Sequence, residues 1–124
     1  MSNEFSQKHK PTEIRLKRAE KILEVDFEDG QRFSLPAELL RVESPSAEVQ
    51  GHGPGQKTLV AGRRHVGIME ITPVGNYAIA IKFDDMHDSG IYSWDTLYDF
   101  GLNGDQMWQD YLTALEAHGL SRDP

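Results

Sequence analysis

The sequence predicts an α+β fold: a single antiparallel, β-sheet-rich domain with short helices, two of them at the C-terminus. Three observations carry this prediction. Between Ile14 and Phe83, apolar residues recur at every second position in several short runs, the period of a half-buried strand. Turn signals such as Asp29-Gly30 and Pro73-Val74-Gly75 separate those runs. Beyond Ser93 the period becomes helical, with Trp108, Tyr111, Leu112 and Leu115 on one face. Strands first and helices gathered at one end is the α+β layering.

Each element follows in order. Residues 1–10 are polar, with Phe5 their one aromatic, and read as a flexible tail without the character of a secretory signal. The domain spans 11–121, and 122–124 is a short tail. Thr12 to Arg18 is a strand, with Ile14 and Leu16 two apart. Lys21 to Leu35 is a hairpin: Leu23, Val25 and Phe27 share one face, and Phe33 and Leu35 resume the alternation. Asp29-Gly30 predicts a two-residue turn with both residues at positive φ. Pro36 to Arg41 is a short helix with Pro36 at its first position. Glu43 to His65 has no periodicity and forms a long loop, a length that is often functional or disordered. Val66–Pro73 and Asn76–Phe83 form a second strand pair, with Tyr77, Ile79, Ile81 and Phe83 on one face. Ala78 and Ala80 on the other face leave room for a close neighbour. A short strand covers Gly90 to Tyr92. Ser93 caps a helix over Trp94–Phe100, which Gly101 ends in a left-handed conformation. Asn103 and Gln106 start the last helix as a capping box, and Gly119 closes it.

Composition narrows the function. The 124 residues carry 13 Lys and Arg against 20 Asp and Glu, a net charge of −7, so a general nucleic-acid partner is not expected. Arg63-Arg64-His65 is too short a basic run to reverse this and reads as a solvated loop end. No apolar run approaches the roughly 18 residues of a membrane span. With no export signal the expected location is the cytoplasm. Cysteine is absent, which removes disulfides, thiolate metal sites and thiol nucleophiles. No phosphate-cradling glycine motif and no nucleophile elbow is present, so the chain is not expected to be an enzyme.

The metal question centres on His87, which sits among Asp84, Asp85 and Asp88. An imidazole with carboxylates suits iron or zinc. The candidate ligands are His87 and Asp85, with His52 or His65 as a distant third. The alternative is a loop histidine bonded to its neighbours. The adjoining carboxylates should favour its charged form. His118 ends a helix, where a partial positive charge is favourable.

Several runs together resemble one family. They are Leu40-Arg41, Ser44-Pro45-Ser46-Ala47-Glu48, Gly53-Pro54-Gly55-Gln56, Pro73-Val74-Gly75-x-Tyr77-Ala78 and Asp85-x-His87-x-Ser89-Gly90-Ile91-Tyr92-x-Trp94. The resemblance is to small bacterial proteins similar to the N-terminal domain of γ-butyrobetaine hydroxylase, over roughly residues 11–121. Its motif positions here include Arg41, Ser44, Pro45, Ser46, Ser89 and Trp94. In the hydroxylases this domain is a zinc-bearing module ahead of an Fe(II)/2-oxoglutarate oxygenase domain. The chain has no length left for that second domain, so it is not expected to hydroxylate anything alone. The hydroxylase zinc ligands are three cysteines in Leu-Arg-x-x-Cys-Pro-Cys-x-x-Cys and a later histidine. The cysteine positions fall on Ser44, Ser46 and Val49, and the histidine on His87. Zinc is therefore not expected, no cofactor is required, and iron is the candidate metal. A similar domain accompanies plant P-loop ATPases that carry Fe–S clusters, which implies a protein partner in iron or Fe–S metabolism. The expected function is a non-catalytic binding or adaptor domain. The alternatives are an iron-binding protein using His87 with nearby carboxylates, and a small enzyme with His87 as its acid-base group.

Overall fold

Strands β1 (Pro11–Lys17), β2 (Ile22–Phe27) and β3 (Arg32–Pro36) form one antiparallel sheet in that order. Strands β4 (Ile68–Val74), β5 (Ala78–Phe83) and β6 (Gly90–Ser93) form another of the same kind. This architecture is that of a computed structural model, which describes residues 8–51 and 55–124. The predicted α+β class holds, with the strands divided between two three-stranded sheets.

Both sheets bury one face in a shared core, as their alternation dictates. Leu23 pairs with Leu35 and Val25 with Phe33 in the first sheet, while Ile79 pairs with Tyr92 in the second. Leu23, Val25 and Phe27 meet Ile79, Ile81 and Phe83 in that core. Arg18 Nε donates to the Met69 carbonyl at 2.9 Å, joining the sheets where β1 passes β4.

The two sheets share one turn design. Phe27 N–H donates to the Gln31 carbonyl at 2.9 Å, and Gly30 N–H to the Phe27 carbonyl at 3.0 Å. Phe83 N–H donates to the His87 carbonyl at 2.9 Å, and Met86 N–H to the Phe83 carbonyl at 3.0 Å. Asp29 and Asp85 each accept the N–H two residues on, at 3.0 and 3.1 Å. Both are three-residue loops whose third residue is left-handed, Gly30 at φ 90° and Met86 at φ 73°. The expected two-residue turn at Asp29-Gly30 is thereby corrected: Gly30 alone supplies the positive φ.

Helix α1 (Ala37–Val42) follows β3, with Pro36 as an extended N-cap rather than the first helical residue. The long loop after it contains a single turn of helix, α2 (Ala47–Gln50), capped by the Ser46 hydroxyl, which accepts from Glu48 N–H.

The C-terminus is one helix, α3 (Trp94–Ala117), and not two. Ser93 caps it as predicted, accepting from Thr96 N–H at 3.1 Å. Gly101 does not stop the helix as expected: a Cβ there would run into the ring of Phe33. Glycine is needed for close approach, and the helix runs through it. Asn103 donates back to Asp99, one turn earlier, instead of capping a new helix. Gly119 does end the helix, at φ 65°, with its N–H on the Glu116 carbonyl and Leu120 N–H on the Leu115 carbonyl.

The ends of the described chain are tied down. Lys8 and His9 N–H groups donate to Asp95, and the His9 ring stacks on Tyr98 at 3.5 Å. Arg122 makes a two-bond ion pair with Glu38 at 2.8 and 2.7 Å and lies over the Trp108 ring. The remainder of the predicted N-terminal tail, residues 1–7, and the His52-Gly53-Pro54 part of the loop lie outside the described residues. Among the described residues no helix is long and apolar enough to cross a membrane.

Candidate functional site

Four segments converge on His87. α1 supplies Arg41, its C-terminal extension Ser44 and Ser46, α2 Glu48, and the β5–β6 turn Asp85, His87 and Ser89. The left-handed Met86 lets that turn fold His87 back over the sheet. His87 is 7% exposed and Ser44 is fully buried.

Both imidazole nitrogens are engaged. Nε2 lies 3.0 Å from Ser44 Oγ and Nδ1 lies 3.0 Å from Glu48 Oε1. A carboxylate accepts only, so Nδ1 carries the proton and the Ser44 hydroxyl donates to Nε2. Ser46 N–H donates to Ser44 Oγ at 3.3 Å. Ser89 Oγ lies 3.0 Å from both Ser46 Oγ and Glu48 Oε1, closing a polar ring around the imidazole. Tyr92, at the base, donates to the Leu40 carbonyl at 2.6 Å, and burial pushes its phenol up.

Asp85 belongs to a second network. Arg41 Nε donates to its Oδ2 at 2.7 Å, and Arg63 Nε reaches the same oxygen at 2.7 Å as an ion pair without hydrogen-bond alignment. Arg41 Nη1 is buried without a hydrogen-bond partner among the described residues. Burial works to raise the Asp85 carboxyl, but the His87 N–H, Arg41 and Arg63 together outweigh it and hold it below the usual carboxylate range.

The electrostatic expectation for His87 is overturned. Its burial first, and then the nearby Arg41 charge, push it below the ordinary histidine value, and Glu48 and Asp85 only partly offset them. The balance favours the neutral imidazole.

The structure brings Arg41, Ser44, Ser46, Ser89, Asp85 and His87 together. Pro45 lies in the chain between the two serines, and Trp94 stands apart at the start of α3, with Nε1 donating to the Asn76 carbonyl at 2.8 Å. Val49 is buried at 2% exposure. His65 is exposed and borders a shallow depression with Asp84 and Asp85. The carboxylate against the imidazole is Glu48, which the sequence reading passed over. Its signal was the helix cap Ser46-x-Glu48, which turns Glu48 toward the serines. Arg63, read as part of a solvated loop end, instead pairs with Asp85. Among the described residues no three His, Asp or Glu side chains are grouped to hold a metal ion.

Ser44, His87 and Glu48 have the connectivity of a nucleophilic triad. Yet Ser44 has no exposed surface, and neither it nor His87 borders the depression beside Asp85. As arranged, the cluster clamps the loop after α1 onto the β5–β6 turn.

Comparisons agree with the motif reading. A family model described as gamma-butyrobetaine hydroxylase-like, N-terminal, matches residues 14–98. A solution NMR structure is 46% identical, covering 94% of this chain and 91% of its own, with a TM-score of 0.82. A second NMR structure is 49% identical over 100% of this chain and 92% of its own, with a TM-score of 0.82. A crystal structure from Acidithiobacillus ferrooxidans, of a DUF971-family protein of unknown function, is 39% identical over 71% of this chain and 88% of that one, with a TM-score of 0.60. No curated protein matches the chain. The chain thus belongs to the gamma-butyrobetaine hydroxylase-like N-terminal domain family.

Proposed function

We propose that this is a cytoplasmic, non-catalytic binding domain that acts through a protein partner. The observation that carries the reading is the closure of the His87 cluster. Both ring nitrogens of His87 and the Asp85 carboxylate are committed to groups of the same chain. Chemistry there would need a vacant base or nucleophile in contact with a cavity. The part of the proposal that places the partner in iron or Fe–S metabolism rests on the motif resemblance.

A second reading, iron held by His87 with nearby carboxylates, rests on the motif resemblance and on the Glu48 carboxylate beside the imidazole. It costs the His87–Glu48 or His87–Ser44 bond, and with Asp85 as ligand the Arg41 pair as well. The test is native co-purification of the full chain, with elemental analysis of the product. A stoichiometric partner and no bound metal supports the binding domain. Stoichiometric iron that disappears in His87→Ala supports the second reading and sinks the first.

A further inference from the structure

We propose that the groove between β3 and α3 accepts an extended segment of a partner protein as an added strand. This deepens the binding-domain reading and rests on it. The segment would carry an apolar side chain for the groove floor and an acidic residue for Arg32.

Four observations lead there. First, β3 is an edge strand, paired with β2 on one side and with no strand on the other among the described residues. The bond from Phe27 N–H to the Gln31 carbonyl sets the phase of the ladder. Residues 33 and 35 then bond to β2, while the backbone N–H and C=O of Arg32 and Ser34 point outward. Outward pairs of this kind are what an added strand satisfies.

Second, a groove of about 470 Å³ runs along that edge, touching all five residues of β3. Its far wall is one face of α3: Phe100, Gly101, Gly104, Asp105 and Trp108. Leu39 and Phe100, each 4% exposed, provide an apolar floor. An edge strand facing a helix across an open groove fits an extended peptide.

Third, close packing among the described residues does not require glycine at position 104. Among the described residues a Cβ there would touch only Leu39 Cδ2, at an acceptable 3.4 Å. Glycine inside a helix costs about 1 kcal/mol relative to alanine. Phe33 requires the neighbouring Gly101, whereas glycine at 104 leaves the groove wall without a side chain.

Fourth, the charges at the groove are unequal in their commitments. Arg122 is bound to Glu38 by two hydrogen bonds. Arg32 is 3.9 Å from Asp26 and its side chain is 81% exposed. An acidic residue on the partner complements it.

The test pans phage-displayed random peptides against the full-length chain. Enriched peptides are synthesised and titrated by calorimetry and by ¹⁵N NMR. Expected are peptides with apolar residues at alternate positions and an Asp or Glu, shifting the amides of Arg32, Ser34 and Gly104. Gly104→Leu fills the groove, and Ser34→Pro deletes an outward N–H without touching the β2 ladder. Each should weaken binding by at least about tenfold. Should Ser34→Pro fail to fold, Gly104→Leu and Arg32→Glu carry the test. The proposal is overturned by an absence of enriched peptides, by shifts confined to another face, or by binding indifferent to Gly104→Leu. It is also overturned by a homodimer that Ser34→Pro dissociates, which would make the edge self-pairing. A native partner that cross-links away from β3 removes this groove and leaves the binding-domain reading standing.

Discussion

Glu48 lies 3.0 Å from Nδ1 of His87, on the opposite side of the ring from Ser44. The contact spans exposed and buried worlds: the Glu48 side chain is 69% exposed and that of His87 is 4%. One surface carboxylate thus fixes the tautomer of a core imidazole, and with it the acceptor presented to Ser44.

That geometry has a pH signature. Burial and Arg41 hold folded His87 below its ordinary value. The unfolded chain takes up the proton near pH 6.5, its unperturbed value. Below that pH the unfolded state binds more protons, so stability falls as pH falls through the folded value and then levels off. Each unit of depression is worth about 1.4 kcal/mol. Urea denaturation of the wild type between pH 7.5 and pH 5 should show the loss. His87→Gln should be less stable at pH 7.5 and nearly flat across that window, whereas an equal slope in both proteins would assign the loss to other groups.

Asp85 is the counter-charge of a buried arginine. The Arg41 side chain is 10% exposed and already carries one nitrogen with no partner among the described residues. Removing the carboxylate strands that charge, which costs about 3 kcal/mol or more. The Arg63 side chain, 34% exposed, can turn to solvent, and its loss should cost about 1 kcal/mol or less. Denaturation midpoints of Asp85→Ala and Arg63→Ala should rank in that order. A mild Asp85→Ala would mean that water replaces the carboxylate at Arg41.

Two glycines three residues apart on α3 should respond oppositely to alanine. At Gly101 the added methyl meets the Phe33 ring, so overpacking of about 1–3 kcal/mol outweighs the helical gain. At Gly104 the space is adequate and the gain of up to about 1 kcal/mol stands alone. Thermal unfolding of the two variants checks the signs. Gly101→Ala should recover part of its loss in combination with Phe33→Leu.

Those glycines also mark where the sequence stopped being legible. The strands were readable because Leu23, Val25, Phe27 and Ile79, Ile81, Phe83 keep a strict period of two. The length of α3 was not, since glycine as terminator and glycine as contact point look alike until Phe33 is placed beneath it. At the cluster, the family resemblance lays Ser44, Ser46 and His87 on the positions of one site, and the structure places the three side by side. Glu48 and Arg63 were missed because their partners are 39 and 22 residues away in sequence. The sign of the His87 shift was missed because nearby carboxylates are visible in a sequence, whereas burial and Arg41 are not.

Met86 occupies in the second sheet the position Gly30 holds in the first. Both residues are third in a three-residue turn, and both are left-handed. A side chain in that region costs about 1–2 kcal/mol. Met86 is 66% exposed, so little packing offsets the strain. Met86→Gly relieves it, while the added freedom of the unfolded chain takes back about 0.4–1 kcal/mol. The net expectation is a gain of roughly 0.5 kcal/mol, seen as a higher thermal midpoint. Gly30→Met, the reciprocal change, should lower it by a comparable amount. If Met86→Gly instead destabilises, the methionine holds the His87 turn in place, and hydrogen exchange at His87 N–H, which donates to Asp85, should quicken.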